Sequence, residues 1–236
     1  MRIAIFFTPP QEHPLTRAAA LWLGRDAFTG EEFAQTAVDG FTRREIRELT
    51  ASPRRYGFHA TLQAPVHLAE GTSLSDVEEA LDATCASLRP VSLGMLRVER
   101  LRSFFALTPT TPMEPINALA GDVVRRFDAF RAPPSAEEIE KRQPQRLSVR
   151  QRQYLERWGY PYVFHDFRFH MTLTGSVPED RRAAMQALLE KRFQPLLDEP
   201  LVIDALALFV EPTPPGDFLV GRRVVMKSVR QPQDAA

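Results

Sequence analysis

Two of the chain's histidines stand in the same triplet: Phe58-His59-Ala60-Thr61-Leu62 and Phe169-His170-Met171-Thr172-Leu173. An imidazole changes charge near neutral pH, so it can take or give a proton at working pH. Side chains alternate across a strand, which puts the threonine hydroxyl two residues on beside the imidazole. In the first motif Phe58, Ala60, Leu62 and Ala64 form an apolar face, and Gly57, His59, Thr61 and Gln63 share the other. In the second, Phe167, Phe169, Met171 and Leu173 are apolar, while Arg168, His170, Thr172 and Thr174 are polar. Two such polar ladders facing each other would suit a phosphodiester. One imidazole would accept a proton from the attacking water and the other would protonate the leaving oxygen. The threonine hydroxyls and Arg168 would hold the non-bridging oxygens and offset the charge that grows on them. A lone histidine in a strand is more often a structural hydrogen-bonder. Packing supplies no reason for the same triplet to occur twice at matching places of a repeat.

The other histidines are weaker candidates. His13 lies among prolines, His67 ends a strand-like run, and His165 precedes the second motif by five residues. No His-Glu-x-x-His or comparable ligand spacing occurs, so no metal is expected. Nor is there a Gly-x-x-x-x-Gly-Lys-Ser/Thr loop, a Gly-x-Gly-x-x-Gly turn or a Gly-x-Ser-x-Gly elbow, and no cofactor is expected.

The elements that must position the histidines repeat as well. Ile3–Phe7 reads as a buried strand stopped by Pro9-Pro10, followed by helical stretches over 16–23 and 42–49 with Thr42 as N-cap. Tyr56–Leu68 is strand-like, a helix follows with Ser75 and Glu78 at capping-box spacing, and Val91–Val98 and Phe104–Leu107 read as a strand pair. In the second half, a strand over 167–177 leads to a helix from Pro178 to about Phe193, then strands over 201–210 and 218–226. Pro90 lies 31 residues after His59 and Pro200 lies 30 after His170. Glu99 and Glu211 follow the two histidines at offsets of 40 and 41.

This order predicts an α+β fold: one bilobal domain, internally duplicated, of antiparallel β-sheets with outer helices around a central groove. Lobe 1 is expected over about 1–110, a connecting or lid segment over about 111–160, and lobe 2 over about 161–230. The connecting segment carries Lys141, Arg142, Arg146, Arg150, Arg152 and Arg157. Such runs are usually solvated helix faces; the sharper reading is a lid that brings an arginine to a phosphate.

Of the 236 residues, 44% are hydrophobic and 25% charged, and 30 basic residues balance 30 acidic ones. Zero net charge argues against a long polyanion held by bulk electrostatics but permits a small phosphate ester. The single cysteine, Cys85, excludes an internal disulfide and is expected to be a buried apolar residue. No run approaches the roughly 20 apolar residues of a membrane span, and no signal peptide is evident, so a cytoplasmic protein without membrane partners is expected. The sequence leaves the oligomeric state open.

Tyr56-Gly-Phe-His-Ala-Thr-Leu and Phe167-Arg-Phe-His-Met-Thr-Leu-Thr-Gly resemble the paired motifs of the 2H phosphoesterase superfamily. More narrowly, these motifs, the opening Ile3-Ala-Ile-Phe-Phe-Thr-Pro-Pro and Trp22-Leu-Gly-Arg-Asp-Ala-Phe-Thr-Gly are similar to the branch encoded beside phosphonate-degradation (carbon–phosphorus lyase) genes. The resemblance implies a bilobal antiparallel fold and metal-free hydrolysis of a cyclic phosphate or phosphodiester. It makes His59 and His170 the acid and base, with Thr61 and Thr172 as their motif partners. In that branch the place of Gln63 is more often lysine, which leaves Arg168 or Arg55 to supply the positive charge; Tyr56 and Thr174 complete the expected binding set. A phosphoribosyl cyclic phosphate is the substrate that the genomic association suggests. Two other readings compete: an RNA 2′,5′ ligase or RNA-end-processing 2′,3′-cyclic phosphodiesterase, and a non-catalytic module that binds a phosphorylated metabolite. RNA is the less favoured partner.

Overall fold

The computed structural model describes residues 1–111 and 114–227; the end of the expected second lobe, 228–230, lies outside the described residues. β1 (Arg2–Phe7) is buried from Ile3 onward and stops at the prolines. Helix α1 (Pro14–Leu23) starts on proline, which needs no N–H partner there, and ends at Gly24 in the left-handed region. α2 (Arg43–Leu49) opens on a Thr42/Glu45 capping box, and the short α3 (Ala51–Tyr56) leads through Gly57 into β2 (Ala60–His67). α4 (Leu74–Ser87) follows, then β3 (Val91–Gly94) and β4 (Leu96–Leu101). The box that opens α4 is Ser73 with Asp76, two residues before the expected Ser75 and Glu78. Both boxes fit the spacing pattern, and the Ser73 hydroxyl is the one that meets a free amide.

The second half contains β5 (Phe104–Pro109), α5 (Glu114–Phe127), α6 (Ala136–Lys141), α7 (Val149–Trp158) and β6 (Met171–Thr172). It closes with α8 (Arg182–Phe193), β7 (Leu201–Ile203), β8 (Ala205–Glu211) and β9 (Leu219–Val225). The fold is α+β. A seven-stranded antiparallel sheet runs in the order β4-β5-β6-β2-β1-β8-β9, and β3 pairs with β7 in a second, two-stranded sheet.

The duplication is longer than the motif alignment suggested. The unit β1-α1-β2-α4-β3-β4 recurs as β5-α5-β6-α8-β7-β8, and exchanging the two leaves the order of the first six strands unchanged. The pseudo-two-fold therefore passes between β2 and β6. Each unit lends its last strand to the other: β4 pairs with β5, and β8 with β1. The outer helices follow the same exchange, α4 packing on β8 and α8 on β4. The expected boundary near residue 110 therefore falls inside the second unit, which begins at β5. Likewise, the first part of the expected lid is α5, a core helix whose Ile116, Leu119, Val123 and Phe127 are buried.

Helices α1, α2, α4, α5 and α8 contribute to the main core on one face of the sheet, which includes Ile5, Phe7, Leu62, Met171 and Leu208. On the opposite face a small apolar cluster of Ala4, Phe6, Ala207, Phe209 and Phe218 covers the β1–β8 side and leaves the β2–β6 seam open. Among the described residues no helix is long and apolar enough to cross a membrane. Cys85 is buried and unpaired in α4, as its type suggests.

Candidate active site

The loop that delivers His59 is held from below. Gly57, at φ 76 and ψ 179, has a conformation open to glycine alone, and a Cβ there would lie 2.3 Å from the Cβ of Ala27. Buried Arg25 donates to the carbonyls of Arg54 (3.1 Å), Arg55 (2.9 Å) and Phe218 (2.7 Å), tying the end of α3 to the strand beyond the groove. The His59 ring lies flat on Phe6, centroids 3.9 Å apart, with Tyr56 and Phe209 near 6 Å.

Both motifs lie side by side in one sheet rather than facing each other from two. Ala60 pairs with Met171 across the β2–β6 seam. One residue either way, that antiparallel register sets His59 opposite Thr172 and Thr61 opposite His170. Direct cross-strand neighbours have Cβ atoms about 5 Å apart and diagonal ones about 7–8 Å. The two imidazoles thus form one diagonal of a four-residue patch and the two threonines the other.

The imidazoles are held alike. His59 Nδ1 lies 2.9 Å from the Gly57 carbonyl oxygen, and His170 Nδ1 lies 2.8 Å from that of Arg168. A carbonyl only accepts, so each Nδ1 carries the proton and each neutral ring presents its Nε2 lone pair as an acceptor. The Thr61 hydroxyl donates to His59 Nε2 at 3.3 Å. Burial lowers the His59 pKa to about 4; its bond to Gly57 opposes the shift and the charge of His170 adds to it. Burial also lowers the His170 pKa, against its bond to Arg168 O and assisted by the Arg168 cation. At neutral pH both rings are uncharged in the free protein.

A cleft of about 210 Å³ covers three corners of this patch, His59, Thr61 and Thr172, with Phe6 and Tyr56 beside them; His170, the fourth corner, lies outside its lining. It shares Arg2, Tyr56, Pro65 and Arg142 with a neighbouring cavity of about 710 Å³. Arg55 and Tyr56, both expected at the site, line that larger cavity. Arg168 sits at the rim, where its guanidinium bonds Glu99 at 2.6 Å and lines a separate hollow.

The other two expected binding residues, Gln63 and Thr174, are buried. Register irregularities in β2 pair Thr61 with Phe6 but Gln63 with Ile5, whose side chain points into the helix-covered core. The bulge thus turns Gln63 inward, 3% exposed, and gives its place in the cleft lining to Ala64. Thr174 is fully buried, and its hydroxyl accepts the Phe105 amide at 3.0 Å, tying the end of the second motif to β5. Glu99 and Glu211 are not equivalent either. Glu99 pairs with Ala106, in the row of Thr172, whereas Glu211 pairs with Arg2 at the far end of β1.

Sequence reasoning missed Phe6, Arg2 and Tyr160. The alternation of Arg2, Ala4 and Phe6 against Ile3, Ile5 and Phe7 was a usable signal for the first two. Arg142, read only as part of a charged run, reaches the cleft and lies 4.9 Å over the Tyr160 ring. Others in that run do behave as solvated helix faces, such as Lys141 with Glu137 and Arg150 with Asp166.

Two curated relatives, each named Ribose 1,5-bisphosphate phosphokinase PhnN, are similar to the chain. The protein of Janthinobacterium sp. (strain Marseille) is 37% identical over 227 residues, and that of Laribacter hongkongensis (strain HLHK9) is 35% identical over 229. These matches take in 94% and 95% of this chain but 50% and 52% of those proteins, so the chain spans about half their length. Two solved structures, a phosphoesterase and LigT of E. coli complexed with 3′-AMP, are distantly similar. They share 14% and 11% identity at TM-scores of 0.41 and 0.40, over 95% of this chain and 97% of each of theirs. The family model described as "Protein of unknown function (DUF1045)" matches residues 61–219, a span that opens at Thr61 of the first motif and takes in the whole of the second, and the chain belongs to that family.

Proposed function

We propose that this protein is a phosphoesterase of the 2H type that hydrolyses a small cyclic phosphate or phosphodiester without a metal. The observation that carries the reading is the matched pair of imidazoles, each donating Nδ1–H to the carbonyl two residues earlier and leaving Nε2 as an acceptor. A substrate phosphoryl group above the patch would meet the two Nε2 atoms along one diagonal and the Thr61 and Thr172 hydroxyls along the other. His59 takes a proton from the attacking water as the new P–O bond forms. His170, protonated when an anionic ester binds beside it, gives its Nε2 proton to the leaving oxygen as the old P–O bond breaks. The threonine hydroxyls stabilise the charge on the non-bridging oxygens.

A phosphoribosyl cyclic phosphate is the substrate we favour. The neutral net charge suits a small sugar ester, and the curated relatives carry the name of a ribose-bisphosphate enzyme. The resemblance to the phosphonate-linked branch points the same way, and with it a cytoplasmic setting. The test is hydrolysis of that sugar, 2′,3′-cyclic nucleotides and bis(p-nitrophenyl) phosphate in excess EDTA. Turnover in EDTA supports the metal-free reading; turnover abolished by EDTA contradicts it. Turnover of cyclic nucleotides with the sugar left untouched rejects the sugar.

One feature favours RNA-end processing as a second reading. Tyr154 and Trp158 pack edge-on against Phe164 beside the arginine-flanked Tyr160, giving a basic, aromatic surface near the cleft. A filter-binding titration with a tRNA half over a salt series decides it: strong, salt-sensitive binding supports RNA, and weak, salt-insensitive binding removes it.

A further inference from the structure

The larger cavity beside the histidines has no part in the acid–base chemistry, yet it is built from charge. Its floor holds Arg2 and Arg55, and both pair with Glu211, a carboxylate with no solvent exposure. Burial would raise the Glu211 pKa, but the bonds from Arg2, the Gly216 amide and Arg55, with the charge of Arg2, hold it at about 2. One negative charge thus faces two guanidiniums, and the floor keeps an excess positive charge. Arg131 also lines the cavity, and its carboxylate partner Asp128, at 3.0 Å, is shared with Arg157, at 2.7 Å, behind the lining. Arg142 projects from the end of α6 to the boundary of the two cavities, and no carboxylate among the described residues pairs with it; its guanidinium rests on Tyr160. Against these stand Glu137, which is neutralised by Lys141, and Glu138, which lies 3.8 Å from His67. In a chain of zero net charge this local surplus of cations is a specific feature rather than a general one.

We propose that this cavity is a second anion subsite, which holds a non-reacting phosphomonoester of the substrate while the scissile phosphate lies over His59 and His170. The inference rests on the phosphoesterase reading and narrows it to substrates with two phosphoryl groups, one in ester linkage at the histidines and one terminal. Arg142 is the principal contact. It carries a full charge without a carboxylate to release, and its planar fork matches two phosphate oxygens at once. Its place at the boundary lets one small molecule span both compartments. The Arg2–Glu211–Arg55 triad supplies a fixed positive floor that pays no reorganisation when the ligand arrives.

Two measurements test this separately from the chemistry. The first is calorimetric titration of ribose 5-phosphate, which carries the monoester but no diester, into the parent, Arg142→Ala and Arg142→Lys. We expect the parent to bind, Arg142→Ala to bind about tenfold more weakly or worse, and Arg142→Lys to fall between them. Absence of binding to the parent, or equal binding by parent and Arg142→Ala, overturns the subsite. The second is hydrolysis of adenosine 2′,3′-cyclic phosphate with and without a 5′-phosphate. The 5′-phosphate should raise the parent's kcat/KM about tenfold, mainly through KM, and the ratio between the two substrates should collapse toward one in Arg142→Ala. An equal ratio in parent and variant overturns the subsite. If the parent hydrolyses neither compound while the calorimetric pattern holds, the phosphoesterase reading fails and the anion subsite stands.

Discussion

The two histidine motifs reach the same hydrogen bond from different supports. In the first, the accepting carbonyl belongs to Gly57, in a glycine-only conformation pressed against Ala27. In the second it belongs to Arg168, whose side chain is engaged with Glu99. His59 lies flat on Phe6 at 3.9 Å just before an eight-residue strand, whereas His170 is 5.9 Å from a tilted Phe104 just before a two-residue strand. The backbone sets the tautomer identically in both halves, and the surroundings have been free to diverge. Burial nonetheless lowers the pKa of both rings.

The comparison can be strained where the supports differ. Gly57→Ala should lower stability by about 3 kcal/mol or more, since the new Cβ is barred both by its φ and by Ala27. Urea unfolding measures it, and a loss below about 1 kcal/mol would show that the loop is not pinned there. The next effect comes from His59. Its folded pKa of about 4 lies below the ordinary 6.5, so the unfolded chain binds the extra proton between those values. Stability should therefore fall as pH drops through that window, and His59→Gln should lessen the fall by roughly 1–3 kcal/mol between pH 7 and 4.5. A parental pH slope in the variant would contradict the depressed pKa.

Thr61→Val and Thr172→Val should each cost about tenfold in kcat/KM, the value of one hydrogen bond. Their diagonal placement predicts similar losses, and a large inequality would mean that the phosphate sits off centre. The smallest effect is expected for Arg168→Ala, about 1 kcal/mol or less in stability, because Arg168 is an exposed partner and the carbonyl that orients His170 remains.

Much of this was legible in residue types. Alternation placed Phe58, Ala60, Leu62 and Phe169, Met171, Leu173 in the core, and all six are buried. The repeated triplet pointed to equivalent strands, but as ladders facing each other across a groove rather than neighbours in one sheet. Alternation could not anticipate the β2 bulge, because an extra residue in a ladder leaves no mark on composition; Gln63 and Ala64 exchanged faces for that reason. Nor could it show that β5 opens the second unit, since pairing between β5 and β6 joins residues more than sixty apart in the chain. Thr174 reads as a motif hydroxyl, yet it serves the Phe105 amide instead. Arg142 was visible only as one cation in a run, because the path of the connection over the cleft is a tertiary property.

The central claim is that His59 and His170 act as one acid–base unit. Its most direct test is kcat/KM for bis(p-nitrophenyl) phosphate, in EDTA, with the parent, His59→Ala, His170→Ala and the double variant. Each single change should cost roughly 100-fold or more, and the double variant should be little worse than the poorer single one, as expected of groups that share a step. Parental turnover in either single variant, or a double loss equal to the product of the two, would contradict the paired mechanism.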